Sequence, residues 1–188
     1  MEKVIERVKS VLLGPKDALT AIKAEELELK GFMKDYVAIV AAIPAIAQFI
    51  GRALVGDPVF GRLSFFGTLF FAILYYVLSL VGVFVFGKIV NALADNFNST
   101  KNDSNAFKLA VYAFTPGFVA GVFHIVPGLR VLSMLGSLYG IYILYIGLPI
   151  LMDTPEDKNT AYTIVSLIIG LIVMVVIGTI ATDIALGS

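Results

Sequence analysis

Residues 63–87 read LSFFGTLFFAILYYVLSLVGVFVFG, and this stretch decides the fold class. It holds no Asp, Glu, Lys or Arg along its whole length. A helix buried at one face of a soluble domain keeps a polar stripe toward water; this run has none. About 20 apolar residues suffice for a helix to cross the ~30 Å hydrocarbon layer of a bilayer. The stretch is therefore read as a membrane span.

Working outward, residues 36–51, 109–129, 131–152 and 159–182 are also free of those four residue types. The whole chain of 188 residues is 59% hydrophobic and 15% charged, and its mean hydropathy is +0.92. Soluble domains average roughly 45–50% apolar and about 25% charged. One water-soluble core could not bury five such segments, so their surfaces must face lipid. The expected fold is all-α: a polytopic helical bundle with five transmembrane helices, at about 34–55, 62–88, 107–126, 131–152 and 160–182. Together they form a transmembrane domain over 34–183. The first span has the shortest uncharged core, which Arg52 extends by snorkelling, and Pro44 should kink it. Residues 91–105 have loop composition. Pro127-Gly128 makes a tight turn between the third and fourth spans, and Asp153–Lys158 is a short polar turn.

Ahead of the spans, residues 1–33 read as short amphipathic helices. Val4, Ile5, Val8, Val11 and Leu12 follow helical spacing, with Glu2, Lys3, Glu6, Arg7 and Lys9 opposite. Gly14-Pro15 ends the first helix and opens the second, and Asp17 suits the positive end of that helix. Leu19, Ile22 and Leu27 line one side of the second. Sidedness of this kind predicts two helices along the lipid headgroup region, with an ordinary polar tail ahead of the first span as the equal alternative. Lysine and arginine place eleven positive residues on one side of a five-span chain and three on the other. The positive-inside rule then puts the N-terminus in the cytoplasm and the C-terminus outside, in a multi-pass cell-membrane protein.

Composition excludes several functions. Equal numbers of acidic and basic residues leave no basic field for nucleic acid. Without cysteine there is no thiolate chemistry, and one histidine is too few for a histidine metal site. Apart from His124, no ionisable group lies deep in a span, so proton relays, voltage sensing and intramembrane hydrolysis lack their side chains. No catalytic residue, metal or cofactor is expected. His124 itself reads as a hydrogen-bonded interface residue. Gly82–Lys88 mimics the start of a phosphate-binding loop, but Ile89 stands where a hydroxyl is needed, inside an apolar run. The Asn98 and Asn102 sequons fall on the cytoplasmic side and should stay unmodified.

Three sets of residues remain. Gly117 and Gly121 in the third span, and Gly136 and Gly140 in the fourth, have the spacing that lets helix backbones approach closely. They should pack these spans on each other or on a second copy. Tyr139, Tyr142 and Tyr145 recur every third residue in the fourth span, with Tyr75-Tyr76 in the second. Their hydroxyls need partners such as Thr115 or Ser79. With Gln48 and Thr115, the three tyrosines would alternatively line a polar cleft for a lipid headgroup or small ligand. Asp153, Glu156, Asp157 and Lys158 gather at the end of the fourth span. Asp153 or Thr154 should open the last helix with the acids in its first turn, and a cation or a basic partner is the sharper use of the cluster.

Three motifs carry a family resemblance: Ser10–Lys23 (SVLLGPKDALTAIK), Tyr112–Phe123 (YAFTPGFVAGVF) with Ile125–Leu129 (IVPGL), and Leu138–Pro149 (LYGIYILYIGLP) running to Pro155–Lys158 (PEDK). In this order they resemble the Ypt/Rab-interacting protein (YIP) family in its prokaryotic branch, from about residue 10 to 180. The departure is Gly117-Phe118, where a bulky aromatic is expected after the proline. The resemblance implies five spans and a cytoplasmic N-terminus. Eukaryotic relatives are linked to Rab GTPases, membrane traffic and organelle shape. The long cytoplasmic region of many of them has no counterpart in the ~34 residues here, so the GTPase role is not carried over. The functional expectation is a non-enzymatic scaffold or organiser working through membrane lipids, a second copy or another membrane protein. The alternative is a transporter or channel for a lipid, headgroup or small neutral solute.

Overall fold

The structure is a computed structural model that describes residues 1–26, 28–56 and 64–186. Every regular element among them is helical. Two short helices, α1 (Glu2–Leu13) and α2 (Pro15–Ala24), precede the long ones. Helix α3 (Leu29–Leu54) contains a π-type turn at Met33–Val37. Helix α4 (Phe65–Leu93) continues into a 3₁₀ turn at Ala94–Phe97. Helix α5 (Asp103–Ala120) likewise runs into Gly121–Ile125. After a 3₁₀ turn at Pro127–Leu129 come α6 (Arg130–Met152) and α7 (Glu156–Leu186). Among the described residues, four helices are long and apolar enough to cross a membrane: α3, α4, α5 and α6, with the extensions of α4 and α5 included. Leu27 and Arg62 lie outside the described residues.

The Asn-rich stretch differs most from its sequence reading. Helix α4 runs through Asn91, and α5 already begins at Asp103, so only residues 98–102 connect them. The asparagines serve helix ends here. Asn98 takes the left-handed conformation, at φ 54°, that ends the 3₁₀ turn, and Asn tolerates that region better than most residues. Asn102 accepts the Asn105 backbone N–H at 3.0 Å as the cap of α5. Asn91 donates to Asp103 at 2.7 Å, and Asn105 donates to the Leu151 carbonyl at 3.0 Å. At the other connection, Asp153 does not open α7. It ends α6 in the left-handed conformation, and α7 starts at Glu156 with Glu156 and Asp157 in its first turn. The Gly82–Lys88 run is plain helix.

The long helices alternate in direction. Lys88 meets Asp103 at 2.9 Å, so α4 and α5 are antiparallel around that corner. Tyr36 reaches Thr115 while Gly51 lies against the backbone of His124 and Ile125, so α3 runs parallel to α5. The α5–α6 pair is the closest in the molecule. Gly136 sits on Pro116 and Ala120, and Gly140 on the Ala113 carbonyl. Gly121 is used differently: it faces Pro44 of α3, while Gly117 has ordinary clearance from Ser137. His124 joins the end of α5 to α6 through Ser133 at 3.1 Å. Helix α7 is fixed where Phe97 stacks on Tyr162, with centroids 4.7 Å apart, and the Tyr162 hydroxyl donates to the Val90 carbonyl. Arg52, near the end of α3, lies 5.4 Å over the Phe71 ring.

Burial is uneven along this bundle. Towards the end that holds Asp103 and Asp153, side chains such as Val90, Ala94, Leu109, Leu148, Leu151, Met152 and Tyr162 are wholly buried. Towards the other end, Phe66, Phe70, Val131, Met134, Leu135 and Leu171 are exposed. Helices α1 and α2 pack on the well-buried end through Val11, Ala18, Leu19 and Ile22.

Candidate functional site: the joint between hairpin and bundle

Helices α1 and α2 fold back on each other at Gly14-Pro15. Pro15 needs no partner for a missing N–H at the first helical position. The last carbonyls of any helix lack intrahelical donors and carry the negative end of its dipole. At the end of α2 those carbonyls meet Lys108 of α5, whose Nζ donates to Ile22 O at 3.0 Å and to Glu25 O at 2.5 Å. Lys108 is only 4% exposed, its stem lying among apolar neighbours. Glu25 is held a second time: Arg7 of α1 brings its Nη2 to 2.8 and 3.0 Å from the two carboxylate oxygens, a charge-assisted contact. One residue thus ties α1, α2 and α5 together.

Two further bonds hold the hairpin along the bundle wall. Lys23 meets Asp153 at 2.5 Å where α6 turns into α7. This hydrogen bond holds the Asp153 carboxyl below its usual pKa. Lower down, the Tyr139 hydroxyl donates to the Leu12 carbonyl at 2.9 Å.

Between hairpin, α3 and α5 lies a cavity of about 330 Å³. Its aromatic side is Phe32, Tyr36 and Tyr112, with Tyr36 stacked on Phe32 and both close to Tyr112. Its polar side carries both signs, Arg7 and Lys108 against Glu25 and Asp35. An aromatic floor under mixed charge suits a dipolar group or a polypeptide segment. A second, apolar slot of about 410 Å³ opens between α5, α6 and α7, lined by Phe114, Gly117, Gly140, Leu144 and Gly170.

Of the residues singled out in the sequence, Gly117 and Gly140 line the apolar slot, whereas the polar and charged ones converge on neither space. Thr115 is fully buried and bonds Tyr36 at 3.1 Å and the Val111 carbonyl at 3.0 Å. Tyr76 bonds the Ala38 carbonyl at 3.1 Å, and Ser79 its own helix at Tyr75. Tyr142 and Tyr145 stand 44% and 42% exposed on α6. Gln48 is half-buried on α3. Of the acidic cluster, Asp153 holds Lys23, and Lys158 lies 3.6 Å from Asp157. Among the described residues, no three His, Asp or Glu side chains gather to hold a metal ion.

Arg7, Glu25, Tyr36, Lys108 and Tyr112 were not selected from the sequence. The available signal was Lys108, one residue inside the third expected span and counted there only as loop charge.

The Yip1 domain family matches residues 9–177. The chain is 28% identical over 170 residues to inner membrane protein YohC of Escherichia coli K12, covering 87% of each protein. The same figures hold for YohC of Escherichia coli O6:H1. No solved structure matches. The family match begins inside the hairpin at Lys9 and runs through α3 to α6 and most of α7, taking in Glu25 and Lys108 of the joint but not Arg7, and the chain is a multi-pass membrane protein that belongs to the Yip1 domain family.

Proposed function

We propose that this protein is a non-enzymatic scaffold that spans the membrane five times, with its N-terminus in the cytoplasm and its C-terminus outside, acting through contacts with lipid and with other membrane proteins. Helix α7 supports the fifth crossing: its 31 residues extend about 46 Å at 1.5 Å per residue. The alternating course of α3 to α6 continues naturally into α7, and the eleven-to-three bias in positive residues supports the orientation.

The scaffold reading is carried by one observation. Gly136 and Gly140 bring α6 flush against the α5 backbone, so main chain closes that seam, and the slot beside it towards α7 is lined almost wholly by apolar side chains. Because these glycines are used within one chain, a second copy or another membrane protein would meet the exposed apolar surface of α4, α6 and α7. Membrane lipid covers the rest. Neither Tyr142 nor Tyr145 lines an internal cavity of the site described above.

Two experiments test the proposal. The chain has no cysteine, so Glu2→Cys and Ser188→Cys report topology without background. Membrane-impermeant maleimide added to intact cells should label Ser188→Cys and spare Glu2→Cys; the reverse pattern overturns the orientation. In liposomes the pure protein should leave entrapped neutral solute and lipid asymmetry at background rates. Flux above background that falls in Tyr142→Phe would replace the scaffold with a carrier.

A further inference from the structure

On α4, α6 and α7 the large exposed apolar side chains stop along one line. On α4 they run from Phe65 to Phe84, on α6 from Val131 to Tyr145, and on α7 they begin at Ile164. Beyond that line, towards the α2 terminus, the exposed positions of these helices are small or polar: Lys88, Ala92, Asp95, Asn96, Asp153, Glu156, Asp157, Thr160 and Ala161. The three helices agree on its height. Asn159 of α7 donates to the Tyr145 carbonyl at 3.0 Å, and α4 and α6 are in register through α5, Gly87 lying against Phe107 and Gly147 against Leu109. Tyrosines at such a boundary match the aromatic belt of a membrane–water interface.

From Tyr145 to Asp153 is about 12 Å of helix at 1.5 Å per residue. A headgroup layer is only about 5–8 Å deep on each side. This end of the bundle therefore stands clear of the bilayer as a cap, and the hairpin runs down its wall. Lys23 is at the top against Asp153, Leu19 lies over Gly147, and the Leu12 carbonyl reaches Tyr139. The turn between α1 and α2 is thus level with the lipid-facing surface of α6. At that turn Leu13 is 84% exposed, and Lys9 and Lys16 are exposed on either side of it.

We infer that the hairpin tip is a lipid-binding wedge: Leu13 enters the adjacent leaflet, and Lys9 and Lys16 bind the phosphates of anionic lipids. An apolar tip between two snorkelling cations is the arrangement that binds a negatively charged bilayer surface. The tip continues the lipid-facing surface of α6, so a membrane is the occupant that this position selects. The inference rests on the spanning bundle proposed above, but not on which side the N-terminus lies.

The test uses the full chain in nanodiscs of phosphatidylcholine with one-third phosphatidylglycerol. An environment-sensitive fluorophore is placed on Leu13→Cys or, as a control up the wall, on exposed Thr20→Cys. The Leu13→Cys probe should shift to the blue and be quenched at least threefold more by lipids spin-labelled near the headgroup than the Thr20→Cys probe. Exchanging both lysines (Lys9→Glu with Lys16→Glu), or removing phosphatidylglycerol, should reduce that quenching by half or more. Equal quenching at the two sites, with Leu13→Cys as open to aqueous iodide as Thr20→Cys, overturns the wedge. Quenching that persists unchanged without the lysines and without anionic lipid overturns the phosphate contact. A reversed maleimide pattern at Glu2→Cys and Ser188→Cys overturns the orientation alone and leaves these readings in force.

Discussion

The two ends of this bundle are built on different principles. At the hairpin end, directed polar contacts close the structure: Lys108 on the end of α2, Arg7 on Glu25, Lys23 on Asp153, Tyr162 on Val90. There Val90, Leu109, Leu148, Leu151 and Met152 are sealed from any solvent, as in a soluble core. At the other end, glycine-to-backbone contacts do the holding, and large apolar side chains point outwards. Water supplies a hydrophobic force only to the first. In lipid, association rests on close packing, which is why small residues crowd the α5–α6 seam.

That contrast is broken most severely at the seam. A Cβ at residue 140 would overlap the Ala113 carbonyl, whereas one at residue 117 would meet Ser137 at an ordinary 3.4 Å. Gly140→Ala should therefore destabilise the bundle by about 2–3 kcal/mol, the upper part of the usual range of about 1–3 kcal/mol for overpacking a tight core. Gly117→Ala should change stability little. Thermal unfolding of both variants in one detergent decides this, and equal melting temperatures would show that the seam is looser than its geometry.

Next in size is the buried cation. Lys108→Met keeps the stem but leaves the terminal carbonyls of α2 without their donor, a loss of about 1–3 kcal/mol for buried polar groups left unsatisfied. The effect should be local. Hydrogen exchange in α1 and α2 should quicken roughly tenfold or more while the α5–α6 seam keeps its protection. Uniform acceleration would mean that hairpin and bundle unfold as one unit.

The sequence was most legible where lipid writes it. Residues 131–152 were read as a span, and α6 covers Arg130–Met152. A charge-free run that long marks the helix, although its last turns past Tyr145 are buried by protein, with Leu148, Leu151 and Met152 inside the cap. Legibility fell where polar residues bond across the chain. Asn91 and Asn105 have loop composition, yet each spends its amide on a partner 12 or 46 residues away and sits inside a helix. Tyr139 was read as bonding within the spans, but its acceptor is the Leu12 carbonyl, 127 residues distant. Spacing along one helix reports what shares a face, not what the opposite face will be. The joint at Lys108 escaped for the same reason: its acceptors are main-chain carbonyls, which carry no residue-type signal.

The Lys23–Asp153 pair sharpens the comparison by its smallness. Both side chains are more than one-third exposed, so solvent screening limits the pair to at most about 1 kcal/mol. Its pH dependence has a definite sign. The Lys23 hydrogen bond lowers the Asp153 pKa on folding. The contribution is therefore fully present above the unfolded carboxyl value of about 3.9. It is lost as pH falls through the lower folded value. The mobility of a nitroxide on Thr20→Cys should stay constant from pH 8 to 5 as far as this pair is concerned, and rise below about pH 4. In Asp153→Asn the mobility should already be slightly raised at pH 7, with its acid rise reduced.

The smallest expected effect comes from the contact nearest the lipid boundary. Tyr139→Phe removes one neutral donor and leaves the Leu12 carbonyl at the hairpin turn, where water or a lipid headgroup can replace it. Such an exchange is worth about 0.5–1 kcal/mol. Global melting should not move, while a probe on Leu13→Cys should gain mobility relative to the same probe in the parent chain. A deep, dry position for this bond would instead leave the carbonyl unsatisfied and cost two or three times as much. The size of the Tyr139→Phe effect therefore measures how close the hairpin turn lies to polar solvent. It does so from the protein side, independently of any lipid quencher. A small loss places the turn within reach of headgroups and water, although Tyr139 lies about 9 Å along α6 from Tyr145.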